Sequence, residues 1–74
     1  MFSPMSKRKV KVKTKQGERI YYVNVSSGKY FCYKDKGLWG GDKIGAASNL
    51  EDALVLIRTH AGANFGGVKD IELV

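Results

Sequence analysis

The sequence predicts an α+β fold: an antiparallel β-meander of three strands, with room for a short fourth, then one α-helix packed on one sheet face and a C-terminal strand. The order is βββ(β)αβ. Three observations predict it: valine and lysine alternate near the N-terminus, two glycine-containing dipeptides are spaced like hairpin turns, and a later segment repeats apolar residues at helical intervals.

From Lys9 to Thr14, Val10, Val12 and Thr14 fall on one side of an extended chain and Lys9, Lys11 and Lys13 on the other. This is the first strand. Gln16-Gly17 has the chemistry of a two-residue hairpin turn, and the β-rich run from Arg19 to Val25 follows it. Ser27-Gly28 repeats the turn and leads into Tyr30 to Lys34 as the third strand. With both turns set as two-residue loops, Val12 pairs with Tyr21, Val10 with Val23, Val25 with Tyr30 and Val23 with Cys32. One face then collects Val10, Val12, Tyr21, Val23, Val25, Tyr30 and Cys32 as the core. The other collects Lys9, Lys11, Lys13, Ile20, Tyr22, Asn24, Phe31 and Tyr33, with Lys11, Tyr22 and Tyr33 in one row across the strands.

Gly37, Gly40 and Gly41 mark a loop around Trp39, and Lys43 to Ala46 forms the short fourth strand. Ser48-Asn49-Leu50-Glu51 matches a capping box, and Leu50, Ala53, Leu54 and Ile57 follow at i, i+3, i+4, i+7. A helix over about residues 49–60 is expected, stopped by Gly62, with Glu51 and Asp52 in its first turn and Arg58 and His60 in its last. Ala63 to Gly67 reads as a linker, and the final strand from Val68 turns Ile71 and Leu73 inward.

A chain of 74 residues holds one thin-cored domain; the expected division is a loose tail over residues 1–6 and one domain over 7–74. Cys32 is the only cysteine, which rules out an intramolecular disulfide and a cysteine-based zinc site and favours a cytoplasmic setting. The chain has neither a signal-peptide pattern nor a membrane-length apolar run, so no membrane partner is expected. Cys32 falls on the core face and His60, the single histidine, at a helix end. No nucleophile, acid–base pair, metal cluster or phosphate loop is legible, so catalysis, cofactors and metals are not expected.

The charge is uneven. Residues 1–36 carry ten Lys/Arg against Glu18 and Asp35, whereas residues 37–74 carry three against five acids, within an overall net charge of +6. One helix covers one sheet face, which leaves the lysine and aromatic face open. Lysines for phosphates beside rings for bases are the ingredients of single-stranded nucleic-acid binding. The expected interface is Arg8, Lys9, Lys11, Lys13, Tyr22, Phe31, Tyr33 and Trp39, with single-stranded DNA or RNA as the favoured partner. Trp39 also reads as a plug over one end of the core, the reading its glycine-flanked loop favours slightly. Lysines on an outer strand also deter edge pairing. The alternative is a protein-interaction module or homodimer using the same face or an edge strand.

Overall fold

The computed structural model of the protein describes residues 6–35 and 41–74. Five strands form one antiparallel sheet: β1 (Ser6–Thr14), β2 (Gly17–Ser26), β3 (Lys29–Asp35), β4 (Gly41–Ala47) and β5 (Val68–Leu73). A single helix, α1 (Leu50–Phe65), lies between β4 and β5 in the chain and contacts all five strands. The strand order is β4-β3-β2-β1-β5. The predicted α+β class and element order are therefore those observed. The predicted tail over residues 1–6 lies outside the described residues except for Ser6, which already pairs with Val25 as the start of β1. Gly41, read as loop, begins β4, and Trp39 lies outside the described residues.

The valine face is the core. Val10, Val12, Tyr21, Val23 and Cys32 from the sheet are fully buried against Ala53, Ile57 and Ala61 of the helix, and Tyr30, Leu54, Leu56, Phe65, Ile71 and Leu73 pack around them. Val25, expected in the core, is only half-buried near the end of β2. Each full burial of a Val or Ile side chain is worth about 1.5–3 kcal/mol, so this small cluster is the main source of stability. The helix packs tightly at Gly45, where an added Cβ would stand 2.9 Å from Leu56 Cδ1.

Two sequence expectations about turns resolve differently. Ser27 and Gly28 have φ of 51° and 76°, so that hairpin takes the primed geometry and the predicted β2–β3 register. In the first hairpin the turn residues are Lys15 and Gln16, not Gln16 and Gly17, and Thr14 pairs with Gly17. A primed turn at Gln16-Gly17 would force positive φ on Gln16, which its side chain resists. Instead Gly17 supplies the left-handed residue (φ 103°) one position later. Thr14 Oγ1 accepts from Gln16 N (3.1 Å) and donates to Gly17 O (2.7 Å), fixing the turn from within. The β1–β2 register is thereby two residues from the expected one: Val10 faces Tyr21 and Lys9 faces Tyr22. An even slip preserves which face each side chain occupies, so the core survives the correction.

Over Val10–Thr14 β1 is not an outer strand, because β5 pairs antiparallel along its other side there. The lysines therefore do not serve to guard an edge; the edges are β4 and β5, and each joins its neighbour through a register irregularity.

The helix starts and ends later than its sequence signals. Asn49, not Ser48, is the N-cap, with its Oδ1 accepting from Asp52 N at 2.8 Å. Replacing Asn49 with alanine is expected to cost about 1 kcal/mol, read as a lower urea midpoint at unchanged slope. At the other end Gly62 does not stop the helix, which runs on to Phe65 and is capped by Gly66 in the left-handed conformation (φ 81°). The path explains this. The chain leaves β4 at one edge and must reach β5 at the other, about 19 Å away across four strand spacings. A helix ending at His60 would be about 16 Å long, whereas 16 residues span about 24 Å. Buried Ala61 and packed Phe65 offset the penalty of about 1 kcal/mol for an interior glycine. His60 and Arg58 are thus about one and two turns inside the helix, and its last turn holds no basic residue.

His60 meets the sheet instead. Its Nδ1 lies 2.8 Å from Tyr21 Oη, and the two rings meet edge to face with centroids 5.6 Å apart. Burial pushes the Tyr21 phenol above its ordinary value of 10.0, against a smaller lowering by Arg19, and pushes the Cys32 thiol above 9.0. Both groups are neutral when protonated, so the native state holds these protons more tightly than the unfolded chain. Their contribution is complete below the unfolded values and lost as pH rises past them. Stability is expected to be level from pH 7 to about 8.5 and to fall from about pH 9 upward, as measured by urea unfolding at stepped pH.

Candidate nucleic-acid interface

The face opposite the helix is built by strand alternation and the observed register. One row runs Lys9–Tyr22–Tyr33–Lys43 across β1, β2, β3 and β4. Beside it Asn24 pairs with Phe31 and Phe31 with Ala46. Lys43 reaches over the neighbouring ring, with Nζ 4.6 Å from the Phe31 centroid. Tyr22, Phe31 and Tyr33 are half-buried, while Lys9 and Lys43 are exposed. Rings thus present part of their surface between two lysines whose backbones are about 14 Å apart, three strand spacings at about 4.8 Å. Lys29 follows on the same side of β3 by alternation and is exposed.

The predicted site residues divide. Lys9, Tyr22, Phe31 and Tyr33 come together as expected. Lys11 does not share the tyrosine row; it lies between Ile20 on β2 and Glu72 on β5. Lys13 lies between Glu18 and Asp70, an acid on either side. Opposite charges set across neighbouring strands favour a sheet by roughly 0.2–1 kcal/mol per pair, and the register sets these lysines opposite acids rather than opposite rings. Arg8 pairs with Val23 and shares the parity of Val10, which puts it on the helix side of the sheet. Trp39 lies outside the described residues.

The same accounting removes two further cations of the positive half from this face. Arg19 and Lys34 stand on the helix side over Phe65, with Arg19 Cζ 4.6 Å and Lys34 Nζ 5.6 Å from its ring centroid. Lys29 and Lys43 are the members of the face that sequence reasoning missed. β4 was legible only as a short segment, and the irregularity between the Cys32–Gly45 and Tyr33–Lys43 pairs decides which side Lys43 takes. No signal in the sequence announces that bulge.

Asn24 Oδ1 is buried on this face without a hydrogen-bond partner. Elsewhere the chemistry is sparse. The Cys32 thiol is enclosed in the core and donates towards Ala53 O at 3.6 Å. Among the described residues no group of three or more His, Cys, Asp or Glu side chains could hold a metal ion, and no helix is long and apolar enough to cross a membrane. No protein-family model, no curated protein and no solved structure matches the chain.

Proposed function

We propose that the protein binds single-stranded nucleic acid on the uncovered sheet face, without turnover. The observation that carries this reading is the Lys9–Tyr22–Tyr33–Lys43 row, with Phe31 beside it under Lys43. Bases stack on aromatic rings with little regard to sequence, and lysines at the two ends of the row receive the phosphates on either side. A single strand suits the face because its bases are free to unstack and lie on the rings, whereas a duplex hides them.

With two or three phosphate contacts, from Lys9, Lys43 and Lys29, the slope of log affinity against log salt is expected to be only about −1.5 to −2. A titration of labelled protein with short DNA and RNA oligonucleotides, single- and double-stranded, tests the reading. Amide shifts confined to β1, β2, β3 and β4 around the row support it.

A second reading is a homodimer formed face to face. The face is basic at the Lys9–Lys43 row and acidic towards Glu72, Asp70 and Glu18, so a two-fold rotation lays each basic end over the partner's acidic end. Amide shifts that change on dilution and ignore oligonucleotide would select it.

A further inference from the structure

Granting the nucleic-acid reading of the open face, on which this rests, we infer that the β5 carboxylates Asp70 and Glu72 hold Lys11 and Lys13 out of ligand contact and confine the bound strand to the Lys9–Lys43 row. The lysines of β1 alternate identically in sequence, and their neighbours across the strands, the acids of β5 above all, distinguish them. Lys11 faces Glu72 and Lys13 faces Asp70, while Lys9 receives the backbone of Val74, whose N donates to Lys9 O at 2.9 Å. A phosphate approaching Lys11 or Lys13 therefore meets a carboxylate directly across on the next strand, about 5 Å away between Cβ atoms. Directly opposite Lys9 stand Tyr22 and Val74, and Glu72 is only its diagonal neighbour.

This arrangement orients the ligand. A strand following the lysines along β1 would run parallel to the sheet strands and leave the aromatic residues of β3 unused. A strand confined to the row crosses them, from β1 to β4, and passes over Tyr22 and Tyr33. The acids thus decide both the footprint and the direction of the bound chain.

The test is the isosteric change Glu72→Gln, compared with Glu51→Gln, which makes the same change of charge on the first turn of α1. Both positions are exposed, so neither variant disturbs the core. Binding of a fluorescent single-stranded oligonucleotide is measured from about 200 mM to about 50 mM salt. Releasing Lys11 adds one phosphate contact, which steepens the salt slope by about 0.7 and makes the advantage of Glu72→Gln over the unaltered protein grow roughly threefold across that range. Glu51→Gln is expected to keep the original slope, and adding Lys11→Ala to Glu72→Gln is expected to erase the gain. Equal slopes for Glu72→Gln, Glu51→Gln and the unaltered protein, with binding intact, overturn the inference. Absence of binding by the unaltered protein removes the underlying reading and this inference with it.

Discussion

Tyr21→Ala is expected to leave little or no folded protein at room temperature. Tyr21 is the largest fully buried side chain among the described residues, lies between Val10 and Lys34 in the sheet, and touches His60 of the helix. Removing a buried aromatic side chain costs about 3–5 kcal/mol. A chain of this length has on the order of 4–10 kcal/mol in total. Tyr21→Phe separates the two parts of the effect: it keeps the ring and deletes only the hydroxyl that meets His60 Nδ1. That variant should fold with a loss of about 1–2 kcal/mol, read by urea unfolding followed by circular dichroism. A Tyr21→Phe protein as stable as the original would show that the Tyr21–His60 bond contributes nothing, and a well-folded Tyr21→Ala protein would contradict the placement of the core.

Tyr33→Ala is expected to weaken oligonucleotide binding by about 1–3 kcal/mol, the value of one base–ring stack, or roughly five- to 150-fold. Lys43→Ala should lower the affinity less but flatten the salt slope by about 0.7. The informative comparison is with Arg8→Ala and Lys13→Ala, which remove the same charge from the helix side and from between two acids. Those two variants are expected to change affinity by less than about twofold. Equal losses at Arg8, Lys13 and Lys43 would mean that the basic half attracts nucleic acid diffusely, and the proposed row would be discarded. Because Tyr33 and Lys43 lie on the face away from the core, thermal unfolding of both variants should stay close to that of the unaltered protein.

The faces of the sheet were legible in the sequence because a strand has a period of two. Val10, Val12, Tyr21, Val23 and Cys32 occupy the core despite a β1–β2 register two residues away from the expected one. The aromatic members of the site were legible for the same reason. Their lysine partner was not: an even slip leaves faces intact but exchanges cross-strand neighbours, so Lys9 rather than Lys11 stands beside Tyr22. The choice rested on where Gly17 takes its positive φ and on the Thr14 hydroxyl bridging the turn. Lys43 depended on an unannounced bulge in β4, and the end of the helix on a distance across the sheet that Gly62 does not encode.

Local patterning was enough to set element types, their order, the inward face of each strand and the helical stripe around Ala53 and Ile57, because each of these follows from the chain's own periodicity within a few residues. The charge excess was equally plain along the chain, but its meaning was not. Folding sends Arg8, Arg19 and Lys34 to the helix side and sets Lys11 and Lys13 against Glu72 and Asp70. Lys9 and Lys43, 34 positions apart in the sequence, are left framing the rings. That selection requires β5 to return beside β1 and β4 to pair with β3. Both are contacts between strands whose partners are chosen by closure of the whole sheet rather than by the residues near each lysine.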